Sequence, residues 1–161
     1  MMTKRFVSGC AMAALFCTTV AAVGGNKAQY MGGTLTTVKE KAEGKLDTAN
    51  PTNLVFTPDG KNSTPVAIPY ASIKELEYGQ KAGRRVAVAV LVSPLALFSK
   101  KRNHYLTVTY ADAEGKEQAA VFELGKDIVR TSLKVIETRS GKDIQYQDDE
   151  ARKSIGGGTG K

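Results

Sequence analysis

At 161 residues, with 42% hydrophobic and 24% charged residues, the chain has the size and balance of one folded domain with tails. Its formal net charge is +7, and its two cysteines, Cys10 and Cys17, both lie near the amino terminus. This composition excludes a wholly disordered chain. Once the leader described next is removed, it also excludes any disulfide, thiolate nucleophile or cysteine-held metal.

Residues 1–22 have the three-part grammar of a secretory signal. Lys4 and Arg5 precede an apolar stretch over residues 6–20, and Ala21 and Ala22 supply small residues before a mature start near Val23. An uncleaved amino-terminal anchor is the competing reading. Val7-Ser8-Gly9-Cys10 has the form of a lipoprotein box, but only Phe6 and Val7 precede it as apolar core, too few for a signal. The expected location is therefore periplasmic or secreted, either free or peripheral on a membrane.

Removing Lys4 and Arg5 leaves 21 basic and 16 acidic residues, a net of +5. Six of those basic residues and none of the acidic ones fall in residues 79–103, so the rest of the mature chain nets −1. The positive excess belongs to one segment. That favours a local docking site over diffuse attraction to polyanions.

In chain order, residues 23–30 are Gly-rich and polar and read as a flexible lead-in, with structure beginning at Met31. Candidate strands follow at residues 35–38, 44–47 and 53–57. Pro58, Asp59, Gly60 and Asn62 make a turn, because proline fixes φ while the others tolerate the bend. Residues 66–68 and 73–78 predict two short strands, or one bent at Pro69. The sequence HYLTVTY at 104–110 alternates Leu106 and Val108 against Thr107 and Thr109, and residues 116–124 supply a second strand after a short polar loop. A helix then opens at Asp127, carries a stripe of Ile128, Val129, Leu133, Val135 and Ile136, and stops at Gly141. Residues 143–147 offer a terminal strand, and the chain from 148 to 161 reads as a disordered tail.

Short strands followed by one helix, with the progression NLVFT, TPVAIPYASIKELEYG, LTVTY and the helix, resemble the pleckstrin-homology-like fold, including its bacterial PH and GRAM-type variants. The resemblance covers residues 31–147. It implies a mainly β fold: a bent, seven-stranded, barrel-like antiparallel sheet capped by a carboxyl-terminal helix, used for binding lipids, peptides or proteins. The departure is an apolar, basic-flanked insertion at about residues 81–103.

That insertion is the candidate site. Residues 86–98 carry no charge, whereas Arg84 and Arg85 stand before them and Lys100, Lys101 and Arg102 after. One reading makes 86–98 a core strand, with valine and alanine fitted to the two faces of a tight barrel. A transmembrane helix fails on length, since 13 residues span about 20 Å against about 30 Å of hydrocarbon. The third reading is a loop or helical hairpin that turns near Ser93-Pro94 and dips Leu95, Leu97 and Phe98 into one leaflet, returning both basic clusters to the same lipid phosphates. The balance tips slightly toward this docking contact with an anionic phospholipid surface or an envelope protein.

Other motifs point to no cofactor, metal or reaction. GGGTGK at 156–161 lacks the first glycine and the Ser or Thr of a phosphate loop. The lone histidine, His104, reads as a strand-edge residue or an added basic contact. Glu75 and Glu77 read as solvent-facing, Asp148, Asp149 and Glu150 as a solvated charge run, and Tyr70, Tyr78 and Tyr105 as core or rim. The few aromatics near the basic segment, together with the leader, argue against nucleic acid. The oligomeric state is open. The expected function is a non-enzymatic binding module of the cell envelope; the alternative is a secreted ligand-binding or enzymatic domain in which 86–98 is only core.

Overall fold

The structure, a computed structural model, describes residues 26–80 and 103–156. A first meander of four strands comprises β1 (Lys27–Gly33), β2 (Ala42–Asp47), β3 (Asn53–Pro58) and β4 (Val66–Pro69). A 3-10 turn at Tyr70–Ser72 leads to a second meander: β5 (Ile73–Gly79), β6 (His104–Ala111) and β7 (Glu117–Leu124). Helix α1 (Val129–Ser140), strand β8 (Ile144–Tyr146) and helix α2 (Asp149–Ser154) complete the described chain. The strands form one sheet in the order β4-β3-β2-β1-β7-β6-β5-β8. Every neighbouring pair is antiparallel except β5 and β8, which run parallel. The result is a curled, mainly β half-barrel with a helix near its carboxyl end.

The concave side is filled because alternate residues of each strand are apolar and the sheet curls around them. Tyr30, Phe56 and Phe122 bring their rings within 5.2–6.4 Å of one another. Leu46, Leu54, Ile68, Leu76, Leu106 and Val108 surround them, and α1 adds Leu133 and Ile136. Each such side chain contributes about 1.5–3 kcal/mol on burial. At the far end of α1, Arg139 donates to the backbone carbonyls of Thr48 and Asn50 and lies 5.6 Å over the Tyr70 ring. The helix is thereby fastened across one mouth of the half-barrel. Gly141 ends it in the left-handed region at φ 66°, its N–H bonded to the Glu137 carbonyl at 3.0 Å.

Several expectations need correction. The first strand is Lys27–Gly33, which begins inside the 23–30 stretch that reads as a lead-in, whereas residues 35–38 form a loop whose Leu35 and Val38 still pack on the core. At the end of that strand glycine serves a close approach: Gly33 sits at φ 143°, and a Cβ there would run into the Ala119 carbonyl oxygen. Helix α1 begins at Val129, with Asp127 in the preceding turn. The sheet has eight strands rather than seven, because residues 144–146 find a parallel place beside β5. Residues 149–154 are helical instead of tail-like: Asp148 caps α2 by accepting from the Ala151 N–H at 2.7 Å, and Ala151 is buried.

Gly33→Ala combines a forbidden φ with a backbone clash. It is expected to lower the unfolding free energy by about 3 kcal/mol, read from the urea midpoint, while Gly60→Ala, whose Cβ would meet open space, carries only the smaller φ penalty.

Candidate docking site at the root of the 81–102 segment

All eight residues assigned by sequence to the contact, Arg84, Arg85, Leu95, Leu97, Phe98, Lys100, Lys101 and Arg102, lie outside the described residues. What the structure places is the root from which they spring. Strand β5 ends at Gly79 and β6 begins at His104; the two pair directly from Ile73 opposite Tyr110 to Gly79 opposite Tyr105. The departure and return of the segment are therefore neighbours across one antiparallel pair, about 5 Å apart.

The root is held by a chain of polar contacts. Tyr78 Oη lies 2.5 Å from His104 Nδ1 and 2.9 Å from Ser154 Oγ, and Ser154 Oγ donates to the Ala151 carbonyl at 2.7 Å. Two hydroxyl protons must serve three contacts. Only with the ring proton on Nδ1 is each one a hydrogen bond: His104 donates to Tyr78, Tyr78 to Ser154, and Ser154 to the backbone. The His104 and Tyr78 rings also stack at 6.1 Å and 17°, and Arg152 of α2 covers the Tyr146 ring at 5.2 Å. Helix α2 is thus clasped to the ends of β5, β6 and β8.

His104 is 9% exposed, so it is neither a surface contact nor an extra cation. Burial lowers its pKa below the ordinary value, the nearby Lys126 charge pushes the same way, and Glu123 opposes them. A neutral, Nδ1-protonated ring follows. Burial likewise raises the Tyr78 and Tyr105 hydroxyls above their ordinary range. Tyr70, Tyr78 and Tyr105 are core residues, as expected, but Glu77, read as solvent-facing, is buried.

Sequence reasoning missed how the fold gathers cations at this end. Lys27 and Lys45 stand opposite each other at the ends of β1 and β2, Lys126 follows β7, and Arg152 and Lys153 project from α2; all five are exposed. Beside them a groove of about 410 Å³ has Lys27 and Lys45 together with Glu43, Asp59 and Glu123 in its lining, so it is of mixed charge. Among the described residues, no group of three or more His, Cys, Asp or Glu is placed to hold a metal, and no helix is long and apolar enough to cross a membrane. In comparisons with known proteins, no family model matches the chain and no curated protein matches it.

Because the folded state holds His104 neutral, its contribution to stability is complete above the unfolded pKa of about 6.5 and is lost as pH falls from there through the lower folded value. The melting temperature is expected to drop between about pH 7 and pH 5, and His104→Gln is expected to flatten that slope; equal slopes in both proteins would refute the assignment. Tyr78→Phe, which removes the middle of the relay, is expected to lower stability by about 1–3 kcal/mol and to speed amide exchange in α2.

Proposed function

We propose that the chain is an exported, non-enzymatic binding module of the cell envelope, a PH-like domain of the bacterial PH or GRAM type. It docks to an anionic phospholipid surface through the segment 84–102. The observation that carries this reading is the register of Gly79 with Tyr105: the segment that bears both basic clusters leaves and returns at one place in the domain, which supports a single surface as the partner of both. The exposed Lys27, Lys45, Lys126, Arg152 and Lys153 at that end add to its attraction for phosphates. Each basic residue near such a surface contributes about 1 kcal/mol, which with inserted Leu95, Leu97 and Phe98 suits reversible attachment. The curled half-barrel with its carboxyl-terminal helix supports the PH-like assignment, and the leader supports export.

Co-sedimentation with phosphatidylglycerol-containing vesicles tests the proposal. Binding is expected to weaken with salt, and reversing Lys100, Lys101 and Arg102 to Glu together is expected to lower partitioning by about 100-fold in a protein whose melting temperature is unchanged. Absence of binding at low salt would sink the membrane reading.

A further inference from the structure

Helix α1 and the two elements after it enclose a groove apart from the docking site. Arg130, Leu133, Lys134 and Glu137 recur at helical spacing and so share one face of α1. Ile144 and Tyr146 stand two apart on β8 and point to one side of that strand. Ile155 and Gly156 follow the last turn of α2. Together they line a groove of about 290 Å³. Leu133, Ile144 and Ile155 offer aliphatic surface, and the Tyr146 ring is held edge-on to Tyr78 at 6.1 Å and under the Arg152 guanidinium at 5.2 Å. That wall is therefore in place before any ligand arrives. Around it the charge is positive. Glu137, the one carboxylate among the described lining residues, is paired with Lys134 at 3.0 Å. Arg130 lays its guanidinium against Gly156, where a Cβ would run into it, so glycine makes room for that cation at the groove. Arg152 adds a third cation beside Tyr146, while the acidic Asp149 and Glu150 stand in the first turn of α2, at the other end from Ile155. Burial raises the Tyr146 hydroxyl above its ordinary range and Glu137 pushes the same way, whereas Arg152 and Lys134 oppose them, so these charges converge on one hydroxyl.

We propose that this groove binds a medium-chain fatty acid, with its alkyl chain along Leu133, Ile144 and Ile155 and its carboxylate at Arg130. Charge complementarity selects an anion: Arg130, Lys134 and Arg152 stand against the single carboxylate of Glu137. A guanidinium also takes a carboxylate as a bidentate pair. The aliphatic wall selects a flexible chain as the apolar part, since each methylene it covers is removed from water. Size sets the limit. The volume lies at the lower end of ligand pockets, about 300 Å³, enough for one alkyl chain and too little for the two chains of a phospholipid. The proposal holds or fails independently of membrane binding, because the ligand is a single free molecule and every residue named for it lies outside the segment 84–102.

Titration of the full chain with sodium decanoate below its micelle-forming concentration, followed by amide NMR, tests the inference. Decanoate is expected to give saturable shifts at Leu133, Ile144, Tyr146, Ile155 and Gly156. Octanoate, two methylenes shorter, is expected to bind about tenfold more weakly. Arg130→Glu, a change at an exposed position, is expected to weaken decanoate binding about tenfold, while Lys116→Glu at the turn between β6 and β7 leaves it unchanged. Absence of saturable shifts, or shifts confined to residues outside the groove, would overturn the proposal. Binding of decanol or decyltrimethylammonium as tight as that of decanoate would overturn it as well, since the cations would then play no part. Groove amides that shift when the ligand-free protein is diluted would assign the face to a second copy of the chain and refute the fatty-acid site.

Discussion

The pairing of β1 with β7 is the constraint on which everything else rests. Each meander is a local structure, β1 to β4 on one side and β5 to β7 on the other. Only where Ala28 meets Leu124 and Tyr30 meets Phe122 do they become one sheet. Those register partners carry inward side chains of the central aromatic cluster, so hydrogen bonding and apolar packing are satisfied at the same place. Without that seam neither half buries enough surface to persist, since a four-stranded meander with one open face leaves its apolar side wet.

From the seam the functional end follows. Closing β1 on β7 brings the starts of β1 and β6 and the end of β7 to one rim, where Lys27, Lys126 and the clasp of Tyr78, His104 and Ser154 converge. The clasp joins residues that are 26 and 76 positions apart, and it ties the last helix to the strands from which the basic segment departs. The rim is thus rigid where the segment is rooted. A rigid rim lowers the ordering cost of any contact that its own side chains make.

What was legible in the sequence was local. The alternation of Leu106 and Val108 with threonines marked β6, and Gly141 marked the end of α1, because in each case neighbouring residues alone determine the backbone. The start of β1 escaped because the Gly-rich, polar stretch at 23–30 reads as flexible until its pairing with β2 and β7 is known. His104 seemed a surface cation because its partner hydroxyls lie far along the chain. The alternation of Thr107 and Thr109 with Leu106 and Val108 left their burial open, since threonine serves a solvated strand and a buried one equally well; both are buried. Asp148, Asp149 and Glu150 seemed a solvated run because a cap needs the following turn, with Ala151 inward, to be recognised as one.

The half-barrel is open, so it has two edges, and their construction bears on how such a domain behaves in company. β4 is four residues long and ends in Pro69, which has no N–H to offer an incoming strand. β8 is three residues long and is followed at once by α2, packed beside it. Neither edge presents a long run of unpaired backbone groups, the template on which sheets extend from molecule to molecule. With no cysteine among the described residues to staple the sheet, these short, blocked edges are what keeps two crowded copies from joining edge to edge.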